Sequence, residues 1–401
     1  MLRSKRILLG VTGGIAAYKT TFLTRLLIKA GAEVRIVMTE SAGHFVSPLT
    51  LATLSKNPVM RDFVREEDGE LDWNNHVELG LWADLMIIAP ATANTLSKMA
   101  SGTCDNLLMA CYMSAKCPVF FAPAMDLDMF RHPATRTAIE ALEGFGNVLI
   151  PAASGELASG LEGEGRMAEP EAILEQVTAW LESRLPWRGR KVLITAGPTY
   201  EPIDPVRFIG NHSSGTMGFE LAREAANRGA EVVLVTGPST LTMDHPGVTC
   251  LRVQTAREML EAAQAHFSSA HVVIAAAAVS DYRPAEVAPE KIKKTEEALQ
   301  LKLVRNPDII HTLSQAKSGQ YLVGFALETE KELEHAQAKL NRKGLDAIVL
   351  NSLRDPGAGF GGQTNKITFI DKNSEIKPFP LKSKAETACD ILDEIHLRIG
   401  H

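Results

Sequence analysis

KRILLGVTGGIAAYK at residues 5–19 and RKVLITAGPTYEPID at 190–204 open two halves of a 401-residue chain in the same way. Each is a basic pair, an apolar β-type run and a glycine turn containing threonine. Further along, GAEVRIVMTES (31–41) echoes GAEVVLVTGPS (229–239). A glycine closes a helix there and a β-branched strand follows. Strand, glycine turn, helix, strand is the unit of a parallel sheet. Further strands are expected at 85–89, 118–122, 147–150, 272–276, 321–325 and 346–350. Helices are expected at 17–30, 134–143, 170–184, 217–228, 256–267 and 330–343. The pattern predicts an α/β protein of two Rossmann-like three-layer domains. Their joint lies near LPWRGRK (185–191), where Pro186 stops a helix and Lys191 starts a strand, giving domains 1–190 and 191–401.

Composition narrows the function. Apolar residues make up 45% and charged residues 22%, ordinary for a soluble globular chain. A net charge of −6 argues against a broad grip on nucleic acid or anionic membrane. The five cysteines (104, 111, 117, 250, 389) form no CxxC pair, so neither a disulfide framework nor a zinc site is expected, and a reducing cytoplasm fits. MLRSKRILLGVTGG imitates a signal peptide, but its apolar run is cut by Thr12, Gly13 and Gly14. No run approaches the ~18 apolar residues of a membrane span.

Ligands of open α/β sheets bind beyond the carboxyl ends of the strands. In the first half those ends are Thr12-Gly13-Gly14-Ile15, Thr39-Glu40-Ser41 and the polar loop Thr92-Ala93-Asn94-Thr95. Three polar ends in register suggest a phosphorylated cofactor, and the lack of GxGxxG disfavours a standard dinucleotide. His76 opens a helix capped by Asn74 or Asn75, and Pro123-Ala124-Met125-Asp126 follows another strand. GELASGLEGEGRM (155–167) has four glycines and neither a helical nor a strand period. In the second half, GNHSSGTMG (210–218) precedes a helix that Ser213 or Ser214 can cap, leaving its N-terminus for an anion. Asp281 follows an apolar strand, where it can serve a nucleotide or Mg2+. Lys291, Lys293 and Lys294 cluster in a loop, and Lys339 and Lys343 share a helix face.

The order VTGGIAAYK, MTESA, HVELGLWADLMIIAPATANT, PAM-x-x-x-M and GxGRM resembles the flavin-dependent cysteine decarboxylases. ITAGPTYEPIDPVRFIGNHSSGTMG, AAAAVSDYRP and PEKIKK resemble phosphopantothenate–cysteine ligases. Together they resemble the bifunctional bacterial coenzyme A enzymes over nearly the whole chain. The resemblance implies a flavodoxin-like flavoprotein domain, then a ligase domain with a mostly parallel sheet. It implies FMN near Thr12, Gly14, Ile15, Thr39, Ser41 and Asn94. His76 would be required for decarboxylating 4′-phosphopantothenoylcysteine, the Met125 loop would bind the substrate carboxylate, and 155–167 would be a flap. In the ligase half it implies CTP contacts at Ala275, Ala276, Ala277, Asp281, Lys291, Pro307, Asp308, Ile309, Ile310, Phe325, Lys339 and Lys343. Asn211 would stabilise an acyl-cytidylate, Arg207 would complete the site across a dimer interface, and Mg2+ would sit at Asp281. The substrates would be 4′-phosphopantothenate, L-cysteine and CTP, in a homo-oligomer with trimeric flavin units and dimeric ligase units. Where the enterobacterial type has asparagine and a cysteine proton donor, this chain has Asp126 and Ser159; where most relatives have a cation it has Thr216. An aliphatic hydroxyl is a far weaker acid than a thiol, so Ser159, Glu156, Glu162 or water remain candidates for the last proton. A protonated Asp126 could donate as an asparagine amide does. The alternative is a first half that binds flavin without turnover.

Overall fold

The computed structural model describes residues 2–67, 70–293, 299–328, 331–352 and 362–400; Lys294 lies outside the described residues. The chain divides into two units, 1–183 and 184–401. The boundary precedes the expected 190/191 joint because Trp187 is fully buried in the second core and its backbone N–H donates to Arg228 O at 2.9 Å.

The first unit has six parallel strands: β1 (Arg6–Val11), β2 (Glu33–Met38), β3 (Val59–Met60), β4 (Leu85–Ala91), β5 (Val119–Pro123) and β6 (Val148–Leu149). Their order is β3-β2-β1-β4-β5-β6. Without the two-residue edge strand β3, this is the five-stranded flavodoxin-like order. Both faces are covered, so β1 is buried without alternation from Ile7 to Val11. Ile7, Leu9 and Val11 pack with Leu23, Leu27, Ile173 and Val177 of helices Thr20–Lys29 and Pro170–Ser183. Leu8 packs on the other face with Leu96, Leu107 and Leu142 of helices Ala93–Ser101, Leu107–Ser114 and Pro133–Gly144.

The second unit repeats the plan with β7 (Lys191–Ala196), β8 (Glu231–Thr236), β9 (Val248–Arg252), β10 (Val272–Ala275), β11 (Tyr321–Glu328), β12 (Ala347–Ser352), β13 (Ile367–Asp371) and β14 (Ile376–Pro378). The order is β9-β8-β7-β10-β11-β12-β13-β14. The first six are parallel and the last two antiparallel. Val192, Ile194 and Ala196 face helices Thr216–Asn227 and Lys384–Ile399. Leu193 faces helices Ala256–Phe267, Ile309–Gln315 and Glu332–Arg342.

Below the amino ends of β11 and β12 lie three buried carboxylates. Asp346 accepts from Leu322 N (2.9 Å), Lys372 Nζ (3.1 Å) and Lys317. Asp371 accepts from Arg398 Nε (3.0 Å), and Glu394 from Arg398 Nη1 (2.7 Å) and Lys377. Burial pushes all three upward, but the hydrogen bonds and cations outweigh it and hold each below the usual carboxylate range. Depressed carboxylates stabilise the fold above their unfolded values, about 4, and that contribution is lost as pH falls through the lower folded values. Thermal melts are therefore expected to be flat at neutral pH and to collapse below pH ~4. Arg398→Met should cost on the order of 3 kcal/mol at pH 7 and flatten the acid limb; an unchanged melt at both pH values would contradict this.

Candidate functional site

In the first unit the β1 and β4 connections leave on opposite faces, and the crevice at their carboxyl ends opens into a cleft of about 960 Å3. Thr12, Gly14, Ile15, Thr39, Ser41, Asn94, Met125 and Asp126 all line it. Thr12 is buried, and its hydroxyl donates to Pro90 O at 2.6 Å, tying the two strand ends together. Gly13 is the sterically demanding position: an added Cβ would lie 2.6 Å from Ser41 Cβ and closer still to its Oγ. At Gly14 the nearest contact would be an ordinary 3.6 Å to Thr92 Cγ2. The chain then enters a 3-10 turn, Ile15–Lys19, before helix Thr20–Lys29, where one helix over 17–30 was expected. Thr39 and Ser41 hydroxyls lie 3.2 Å apart, and Thr92 Oγ1 caps the helix carrying Asn94, accepting from Thr95 N. Amide-rich turns with free hydroxyls suit a phosphate-bearing ligand.

The glycine-rich stretch is a β-hairpin, Ala153–Glu156 against Glu162–Arg166, rather than a segment without strand structure. Glycine hid the alternation, because its role here is close approach. A Cβ at Gly163 would meet Leu127 Cδ1 at 2.6 Å, and one at Gly165 would meet Met125 O at 2.5 Å. Met125 N donates to Gly165 O at 3.0 Å, pinning the hairpin to the Met125–Asp126 wall. Ser159 is exposed at the tip, where its Oγ accepts from Leu161 N at 3.4 Å, and it does not line the cleft; Glu156 does.

His76 is also outside the cleft of its own chain. Asn75, not Asn74, caps its helix (His76–Trp82) by accepting from Val77 N and Glu78 N. The ring meets Phe63 and Trp73 edge-on at 6.0 and 5.9 Å, and its buried Nδ1 has no partner among the described residues. Trp73, Val77 and Leu81 beside it are 56%, 45% and 55% exposed. Sequence reasoning missed the cleft's cations. Lys98 pairs with Asp105 at 2.6 Å, and the buried Lys19 shares Glu169 with Arg166 at 2.8 and 3.0 Å. Lys19 and Arg166 lay within the motifs VTGGIAAYK and GxGRM without being singled out, and Lys98 had none.

The second unit has a cleft of about 470 Å3 at the carboxyl ends of β10 and β11, with Thr195 of β7 at its edge. Ala275, Ala277, Asp281, Pro307, Asp308, Ile309, Ile310, Phe325, Lys339 and Lys343 line it. Ala276 does not, since strand residues alternate in facing; its N–H donates to Thr195 O. Lys343 pairs with Asp308 at 2.9 Å, and Lys339 Nζ donates to Phe325 O at 2.8 Å. Burial raises the Asp308 carboxyl, but Lys343 and the His311 N–H bring it below the usual range. Arg305 and Asn306, also in the lining, carried no signal beyond their place before Pro307.

Lys291, Arg207 and Asn211 stand outside this cleft. Asp204 accepts from Arg207, from the Val206 and Arg207 amides and from Ile292 N, and Arg207 Nη2 donates to Ile292 O. The Arg207 bond above all holds Asp204 far below the usual carboxylate range. The pair anchors the Lys291 segment on the 204–207 turn. Asn211 Nδ2 donates to Ala278 O at 2.9 Å, just beyond β10. The helix expected to be capped by Ser213 or Ser214 has Gly215 as its cap, with φ 84° and no side-chain cap bond. Ser214 instead meets the Thr216 hydroxyl at 2.8 Å. Among the described residues no cluster of three His, Cys, Asp or Glu side chains could hold a metal, so Asp281 is a single exposed carboxylate. No described helix is long and apolar enough to cross a membrane.

Gly13→Ala should lower retention of FMN about tenfold while leaving the far-ultraviolet spectrum unchanged, with recovery in Gly13→Ala/Ser41→Gly. Undiminished flavin in the single variant would show that the close approach is not needed.

The Flavoprotein family matches residues 1–182, and the DNA/pantothenate metabolism flavoprotein C-terminal domain matches 187–398. A cysteine/cysteine sulfinic acid decarboxylase from an unknown prokaryotic organism is 53% identical over 355 residues, covering 87% of this chain and 98% of its own. The coenzyme A biosynthesis bifunctional protein CoaBC of Bacillus subtilis strain 168 is 42% identical over 397 residues, 98% of this chain and 97% of its own. The protein of that name from Escherichia coli K12 is 42% identical over 401 residues, 99% and 98% of the two chains. With both units matched in order and relatives aligned nearly end to end, the chain belongs to the family of bifunctional coenzyme A biosynthesis proteins.

Proposed function

We propose that the second unit joins L-cysteine to 4′-phosphopantothenate using CTP, and that the first unit, with FMN, decarboxylates the product to 4′-phosphopantetheine. The single observation that carries this is a cleft beyond strand carboxyl ends in each of two fused units, lined by Thr39, Ser41 and Asn94 in the first and by Asp281, Lys339 and Lys343 in the second.

A carboxylate is a poor electrophile, so the second unit first moves CMP from CTP onto it, releasing pyrophosphate and giving a mixed anhydride, which the cysteine amine then opens to the amide, releasing CMP. Lys339 and Lys343, on one helix face, neutralise the triphosphate, and Asp281 holds Mg2+ together with the phosphates, which suits an ion that keeps few protein ligands. Lys291 joins them when its loop moves from the 204–207 turn. Asn211 stabilises the anhydride, and Arg207 serves a dimer.

In the first unit the 13–15 turn, Thr39, Ser41 and Asn94 hold FMN. When bound, FMN supplies a two-electron oxidation of the thiol end and returns the electrons after carbon dioxide has left. The hairpin excludes water over the substrate. His76 reaches the cleft of another copy: its unpartnered nitrogen and exposed apolar neighbours favour a homo-oligomer, trimeric through this unit. Ser159, exposed and weakly acidic, does not supply the last proton; Glu156 or water does. The chain works in the cytoplasm. A second reading is favoured by the 53% identical relative, whose name specifies cysteine itself as substrate.

Incubation with phosphopantothenate, cysteine, CTP and Mg2+, followed by mass, is expected to show the cysteine adduct and then its decarboxylated product. Lys343→Met should raise the KM for CTP about tenfold. No adduct with any nucleotide would refute the ligase reading.

A further inference from the structure

Three carboxylates that line the first cleft, Glu40, Asp126 and Glu156, have no ion pair among the described residues, whereas the cations there are held by Asp105 and Glu169. Asp126 is the one of the three that stands on the wall to which the hairpin is pinned. It stands at the N-cap of helix Leu127–Arg131, where an aspartate ordinarily accepts from backbone N–H groups, yet it makes no cap bond. No hydrogen bond or ion pair reaches its carboxylate among the described residues. Its position is nevertheless fixed. Met125 N is bonded to Gly165 O, and Asp126 O accepts from Phe130 N at 2.9 Å. A half-buried carboxylate held on the cleft wall without a countercharge favours a cation and repels a second anion. An N-acylated cysteine presents an amide and a carboxylate to such a group. A free amino acid presents the same carboxylate with an ammonium in place of the amide.

We propose that Asp126 selects the first unit's substrate by pairing with an ammonium, admitting a thiol amino acid with a free amine, such as L-cysteine, beside the acylated cysteine. This rests on the flavin-dependent decarboxylation and its second reading above. The reaction balances without an external oxidant. Two electrons leave the thiol carbon to the flavin and return to it. The bond from Cα to the carboxylate breaks, carbon dioxide leaves, and the electron pair takes up a proton at Cα. Cysteine becomes cysteamine.

Cysteamine and N-acetylcysteamine share the thiol and differ in charge, so titrating each into the FMN-loaded full chain, read by flavin absorbance, isolates the pairing. The wild type should bind cysteamine about tenfold or more tightly. Asp126→Asn should lose that preference and Asp126→Glu should keep part of it. In a carbon dioxide assay, Asp126→Asn should move the kcat/KM ratio from L-cysteine toward phosphopantothenoylcysteine by a similar factor. The same preference in wild type and Asp126→Asn overturns the role of Asp126, even if phosphopantothenoylcysteine is decarboxylated. Protein that takes up no flavin overturns both this and the reading beneath it.

Discussion

Both units depend on the same close approach, where the carboxyl end of the first strand meets that of the second. In the first unit Gly13 lies against Ser41. In the second Gly237 lies against Pro198, so that a Cβ would fall 2.8 Å from the proline carbonyl carbon and closer still to its oxygen. No side chain fits at either glycine. The approach draws two strand ends together beside the crevice where the sheet's connections part; in the first unit it leaves the Gly13 backbone facing the cleft, whereas Pro198 and Gly237 stand outside the cleft of the second. Gly218, whose Cβ would meet Ala196 Cβ at 2.5 Å, brings the second unit's helix onto the same strand end.

The sheet was legible because both faces of its central strands are buried, and buried parallel strands read as unbroken apolar runs. The duplicated openings then gave the repeat. Short edge strands such as Val59–Met60, and the antiparallel pair Ile367–Asp371 and Ile376–Pro378, lacked that signal. Helix Leu107–Ser114 escaped because its first five residues are all buried, leaving no polar stripe to set a period. The hairpin at 153–166 escaped for the opposite reason: its glycines answer to Leu127 and Met125, residues distant in sequence.

The cleft linings were legible where motif and strand end coincide, as at Thr39, Asn94, Asp281 and Pro307–Ile310. What holds a residue was not legible where its partner is distant in sequence. Arg207 is fixed by Asp204 and by a loop 85 residues away, and Lys19 by a carboxylate 150 residues on. His76 is the sharpest case. The residue type and the helix start were readable, but its distance from its own cleft was not.

On the proposed function, one chain carries two separate crevices, one for a flavin and one for a nucleoside triphosphate. Equilibrium binding of CTP to the FMN-loaded protein tests it most directly. One FMN and one CTP per chain, neither displacing the other, is the expected result. Colourless protein, or CTP that competes with FMN for a single site, would contradict it.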